Sequence, residues 1–354
     1  MKVLKILVIM LVLIMSVGAV CAADAVSGDD TGSDGQTILE TIQQDDTLET
    51  TQNDVYSVGE ASFTNLSYEI GNATGVLELT RDYKFNNESD NAVGIFLSKD
   101  NFVIDGKGHT LDANDQARMF IINATNVTLN NIKFINANKN NGGAIFVDGG
   151  CSLTTNNVTF ENNTAASGIV FVAGTYNSNG DKFLDSTISE GGVIELSGGE
   201  LNIDGALMKN SKQLVWGFIK STQSNLTVLN SIFRDTVSNY SAAIRADGKS
   251  LIKNTQFINL EAKITGGAIA LRQLDECRIE NCTFDSVRAD KNGGAIFADV
   301  MGFDHSNEGL LLINGSVFYN CTSAFGGAVL HLGGDLVVDD SRFSLLYIRH
   351  SPRN

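Results

Sequence analysis

The stretch Val127–Val147 reads VTLNNIKFINANKNNGGAIFV, and the order of its parts decides the fold. An alternating segment, Val127-Thr128-Leu129, stops at Asn130-Asn131 and restarts as Ile132-Lys133-Phe134. A polar run then leads to Gly142-Gly143 and a second apolar segment, Ala144-Ile145-Phe146-Val147. Runs this short and β-rich, separated by Asn and Gly, read as strands and turns. The same order recurs along the chain. Anchors at Phe134, Phe160, Phe183, Leu207, Phe233, Phe257, Phe284, Phe318 and Phe343 follow one another at 26, 23, 24, 26, 24, 27, 34 and 25 residues. The one long interval contains an insertion, Met301 to Glu308.

A pair of small residues follows each anchor, at Gly142-Gly143, Ser167-Gly168, Gly191-Gly192, Ala242-Ala243, Gly266-Gly267, Gly293-Gly294 and Gly326-Gly327. Trp216-Gly217 takes this place in the Leu207 coil. The period is too short for a propeller blade and lacks the helical half of a leucine-rich repeat. It predicts an all-β fold, a single-stranded right-handed parallel β-helix of about nine or more three-strand coils. Coils stacked at about 4.8 Å would make a solenoid on the order of 45 Å long. The anchor side chains point inward and stack, and the small pairs turn the corner, since Gly accepts dihedrals closed to other residues.

The N-terminus reads differently. Lys2 and Lys5 precede an apolar run from Ile6 to Val20, with Cys21, Ala22 and Ala23 behind it. That pattern is a secretory signal peptide over residues 1–23, which leaves no membrane span after cleavage. Residues 24–60 are rich in Asp, Ser, Gly, Thr and Gln, too polar to bury a core, and read as a disordered acidic linker. The β-helix is expected over 61–345, with 61–101 as N-terminal cap and first coils. Residues 346–354 read as an uncapped tail, and hence the chain as partial.

The net charge of −16 excludes nucleic acid and anionic membrane surfaces as partners. Catalytic signals are sparse. The acidic pair Asp339-Asp340 stands alone, Arg245, Arg272 and Arg288 fall on different coils, and His109, His305, His331 and His350 share no spacing with a nucleophile or metal set. Neither a catalytic residue nor a metal or other cofactor is expected. Cys151, Cys277, Cys282 and Cys321 fall at different phases of the repeat. No disulfide pairing follows from them, and Cys282 with Cys321 is the least implausible.

The GGAI tetrads at Gly142–Ile145, Gly266–Ile269 and Gly293–Ile296, with an Asn shortly after the Phe (Asn136, Asn162, Asn259), resemble the polymorphic outer-membrane protein repeat. They are similar to the adhesin-like proteins of methanogenic archaea. Ile104–Leu111, IDGKGHTL, resembles the opening coil of the wider pectate-lyase-like superfamily. The resemblance covers about residues 95–343 and implies an exported cell-surface protein that binds a cell, glycan or matrix ligand. The superfamily also implies an alternative, a polysaccharide lyase or hydrolase. A purely structural envelope protein is the third reading.

Two sets of residues are candidates for contact or modification. Sequons start at Asn65, Asn72, Asn87, Asn123, Asn126, Asn157, Asn162, Asn225, Asn239, Asn281, Asn314 and Asn320, and in an exported chain these are N-glycan acceptors. Asn and Thr are equally at home in β-helix turns. The insertion supplies one protruding loop, Gly302, Phe303, Asp304, His305, Ser306 and Asn307, a natural place for recognition.

Overall fold

The computed structural model describes residues 61–212, 214–299 and 309–348. The expected signal peptide and linker, and the loop 302–307, lie outside the described residues. What is described is an all-β parallel solenoid. Three ladders run through it. The first follows the small-residue corner, from Ile95–Leu97 through Ile145–Val147 to Val329–Leu332. The second runs from Val76–Glu78 through Ser152–Asn156 to Asp335–Asp339. The third holds the anchors, from Tyr83–Lys84 through Thr159–Glu161 to Arg342–Ser344. A fourth, shorter set, such as Thr187–Ile188 and Arg288–Ala289, pairs only in places. Two long strands, Ile244–Lys253 and Ile269–Glu280, pass through both the first and second ladders and join them into one sheet.

The Phe anchors do stack, buried from Phe134 to Phe318 and exposed at Phe343. Phe134, Phe160 and Phe183 have ring centroids 5.2 and 4.7 Å apart, and Phe257, Phe284, Phe318 and Phe343 continue at 4.7, 4.6 and 4.6 Å. One anchor is different from the sequence reading. Phe183 pairs with Met208, and Met208 with Phe233, so Met208 fills the column and Leu207 points the other way. Met208 is fully buried whereas Leu207 is not. A strand alternates faces, so the one-residue shift moves the side chain from core to outside. A second correction is of the same kind. Gly266 is level with Ser241, so the small pair of that coil is Ser241-Ala242.

The corner between second and third ladders explains the Asn content. Asn131, Asn157, Asn230, Asn254 and Asn281 all have φ between 49° and 55°. Asn tolerates this left-handed region better than other side-chain-bearing residues. Successive amides also bond across coils, Asn157 Nδ2 donating to Asn131 Oδ1 at 3.0 Å and Asn254 Nδ2 to Asn230 Oδ1 at 3.1 Å. Just past this corner, side-chain oxygens accept backbone N–H groups of the coil before, as Ser231 Oγ does from Ala206 and Ser316 Oγ from Cys282, both at 3.1 Å. The buried backbone is thereby satisfied.

The N-terminal end is covered by a helix, Phe63–Asn72, which turns Phe63, Leu66 and Ile70 onto the first coil. Ser62 and Asn65 form a reciprocal capping box, and the Asp90 carboxylate accepts from the backbone N–H groups of Phe63 (3.0 Å) and Thr64 (2.7 Å). Among the described residues, no helix is long and apolar enough to cross a membrane.

Candidate functional site

The repeat is irregular on the third-ladder side between Lys209 and Ile219. Lys209 pairs with Arg234 and, further on, Ile219 with Ile244, both 25 residues apart. Between them Leu214 pairs with Ser238, 24 residues apart. The register slips by one and then returns, a bulge-like irregularity of the kind that re-aims side chains and ends pairing. A groove of about 810 Å³ lies on the slip, lined among others by Asp185, Asn210, Lys212, Val215, Val237 and Asn239. Most of its lining residues are polar, and Val237 supplies an exposed apolar side chain. Asp235, also in the lining, stays below the usual carboxylate range. Partial burial opposes this, but hydrogen bonds from Asn259 Nδ2 (2.8 Å) and Arg234 Nε (2.7 Å) outweigh it. Ser211 and Ser238, beneath the same slip, have hydroxyls that are buried and lack a hydrogen-bond partner.

The next residues along both coils form an aromatic pair. Trp216 and Tyr240 stack at 4.3 Å, and the Arg245 guanidinium lies 5.2 Å from the Trp216 ring centre. Arg245 opens onto a charged strip on the first ladder. The outward row there is apolar in most coils, with Phe146, Phe171, Ala270 and Phe297, but reads Glu195, Lys220, Arg245 in three consecutive ones. Glu195 is 6 % exposed, accepts from the Gly192 N–H at 3.1 Å and pairs with Lys220. Arg245 Nη2 reaches Asp247 Oδ2 at 3.0 Å, and its Nη1 donates to Thr222 Oγ1 at 3.1 Å. Asp247 is 5 % exposed and its Oδ1 has no partner. Burial pushes its proton affinity up, against the opposing pull of Arg245. Arg272 stands level with Asp247 on the next coil.

The arginines that the sequence spaces apart are thus partly brought together. Arg245 and Arg272 are neighbours, while Arg288 sits elsewhere, paired with Glu261 at 2.6 Å. The two strip carboxylates do not face each other. Glu195 and Asp247 are two coils apart, about 10 Å along the axis before any lateral offset, with Lys220 and Arg245 between. Hydrolysis by paired carboxylates works at about 5 to 9.5 Å. The strip is therefore built as an ion-pair lattice, and Asp247 is its one carboxylate with an oxygen to spare.

The remaining candidates scatter. Asn126, Asn157, Asn281 and Asn320 spend Nδ2 on inter-coil bonds, to Asn101, Asn131, Asn254 and Ser286. Asn65 caps the helix and Asn123 accepts from Ser98 Oγ at 2.7 Å. Asn72, Asn87, Asn162, Asn225, Asn239 and Asn314 are exposed, and Asn239 lines the groove. Cys282 and Cys321 are buried and form no disulfide, so the Cys282–Cys321 pairing is not made. Cys282 precedes Phe284 by two residues and Cys321 follows Phe318 by three, which puts them at opposite ends of their strands. Burial pushes both thiols up to about 12. His109 binds Asp82 Oδ1 at 3.0 Å, and burial lowers His331. Among the described residues no group of His, Cys, Asp and Glu is arranged to hold a metal.

No family model matches the chain. Metabotropic glutamate receptor-like protein R of Dictyostelium discoideum is 35% identical to it over 126 residues, which is 34% of this chain and 7% of that protein. The chain therefore spans a small fraction of that relative's length. Among solved structures, the A-module of the mannuronan C-5 epimerase AlgE6 of Azotobacter vinelandii is similar at 13% identity and a TM-score of 0.35, over 78% of this chain and 81% of that one.

Proposed function

We propose that this chain is an exported, adhesin-like cell-surface protein that binds a cell, glycan or matrix ligand without transforming it. The observation that carries the reading is the groove at the register slip, which adjoins the chain's single tryptophan. Open clefts with convergent polar groups are where ligands settle on rigid scaffolds. The loop 302–307 is proposed as a further contact, tested by deleting it, and residues 1–23 as the export signal, tested by following secretion without them.

Trp216 makes the test direct. Titrating glycans identified on an array should change its fluorescence, and Val237→Arg, which fills the groove from an exposed position, should abolish binding while leaving the fold intact by circular dichroism. Unchanged binding by that variant would sink the groove assignment. The second reading, a polysaccharide lyase or hydrolase, is favoured by the spare oxygen of buried Asp247. Release of new chain ends from a polyuronate, lost in Asp247→Asn, would replace binding by catalysis.

A further inference from the structure

The outward face of the second ladder differs from the rest of the surface. In five consecutive coils its central column reads Thr128, Thr154, Asn177, Asn202 and Thr227, each directly over the last. Beside it runs a second column, Asn130, Asn156 and Asn179, in the same registers. No Lys or Arg occupies an outward position of these five second-ladder strands, and the only acids there are Glu200 and Asp204. In the coils beyond, Lys249, Glu276 and Arg278 bring charge back.

The amides of this face are already ordered. Asn156 Nδ2 donates to Asn130 Oδ1 at 2.7 Å, Asn179 Nδ2 to Asn156 Oδ1 at 2.9 Å, and Asn202 Nδ2 to Asn177 Oδ1 at 3.0 Å. A primary amide has two N–H donors and two acceptor lone pairs. Each ladder bond uses one of each, so Asn130, Asn156, Asn177 and Asn179 keep a donor and an acceptor for an outside partner, repeated about every 4.8 Å, while Asn202 spends its second N–H on Glu200 Oε1 at 3.0 Å and keeps only an acceptor. Side chains fixed in advance lose little entropy on binding, where mobile ones would lose about 0.5–1.5 kcal/mol each. The array also ends in a shallow depression of about 340 Å³, lined by Asn225, Thr227, Lys249, Leu251, Glu276 and Arg278.

We propose that this face is a binding site for an uncharged, linear, repeating poly-hydroxyl polymer, a neutral polysaccharide, lying along the solenoid axis with its end in the depression. The charge pattern chooses the occupant. A polyanion would find no cation on the outward face of these five strands and would meet Glu200 and Asp204, on a chain of net charge −16. A neutral polymer needs only alternating donors and acceptors at a regular spacing, which the ladders present. The site lies on a different ladder from the groove and does not rest on it.

The test is co-sedimentation of the protein, produced without glycosylation so that Asn126 and Asn225 are bare, with insoluble cellulose, chitin, xylan and mannan, and with polygalacturonate gel as the anionic control. The expected result is retention on at least one neutral polymer that persists at about 1 M salt, where charge attraction is screened. Thr154→Arg and Thr128→Arg, both outward and partly exposed, should each weaken it by about tenfold or more, while Thr154→Ser retains it. Retention on none of the four neutral polymers, retention only on polygalacturonate and lost in salt, or full retention by both arginine variants would each overturn the proposal.

Discussion

Asp181 occupies a core position that neighbouring coils fill with Val158 and Ala206, and it is 0 % exposed. No cation accompanies it. Its oxygens accept from the Val158 N–H at 2.7 Å, Ser178 Oγ at 2.6 Å, Tyr176 OH at 3.4 Å and the Thr155 hydroxyl. Burial dominates these bonds and pushes its pKa up to about 6 from 3.8. A raised carboxyl pKa means the folded state binds the proton more tightly. The stabilising contribution is then complete below about pH 3.8 and is lost as pH rises through about 6, on the order of 3 kcal/mol in total. Asp181→Asn should flatten the dependence of the urea midpoint between pH 4 and 7 relative to wild type, and an identical slope in the two proteins would refute it. The position was legible, since Asp181 stands two residues before Phe183, the inward phase. Its partners were not, because Thr155, Tyr176 and Ser178 lie on other strands. Glycine offers a second residue-scale contrast. A Cβ on Gly294 would lie inside contact distance of the Gly327 carbonyl, whereas one on Gly327 would meet neighbours only at 3.4 Å and beyond. Gly294→Ala should therefore cost about 2 kcal/mol or more and Gly327→Ala well under 1 in thermal unfolding.

At the scale of the strand, the column of anchors is a register statement. Truncating Met208 should leave a core cavity and cost about 2–5 kcal/mol, whereas Leu207→Ala, on the outward side, should cost under about 1. Equal losses in chemical denaturation would show that the strand Leu207–Lys209 is placed one residue off. Periodicity found the column because eight coils announce it with Phe. Spacing alone does not separate Leu207 from Met208, and only the pairing with Phe183 decides for Met208. The charged strip was hidden for a related reason. Arg245 and Arg272 are 27 residues apart, more than one coil, and become neighbours because Arg272 pairs with Asp247 rather than with Arg245. The groove needs still more, a slip at Leu214–Ser238 that no count of residues between anchors reveals.

Across the molecule, each coil touches only the coils beside it, so stability is a sum of local steps and the ends govern where opening starts. The helix Phe63–Asn72 guards one end, and the Lys99 side chain bonds the carbonyls at its C-terminus. Lys99 Nζ donates to the carbonyl oxygens of Ile70, Gly71 and Ala73 at 2.7, 2.9 and 2.7 Å. A cation at a helix C-terminus also suits the helix dipole. Lys99→Met removes the ammonium that also lies 5.4 Å from the Phe102 ring centre and leaves those carbonyls unbonded, at a cost of about 1–3 kcal/mol. In a globally cooperative fold that loss would speed amide exchange everywhere in equal measure. In a solenoid it should be spent locally. Exchange should accelerate in the helix and in the coils around Ile104 and Phe134 and stay at the wild-type rate around Phe257 and Phe284. Hydrogen exchange read by mass spectrometry on peptides from each region separates the two, and uniform acceleration would mean that the coils open together rather than from the capped end inward.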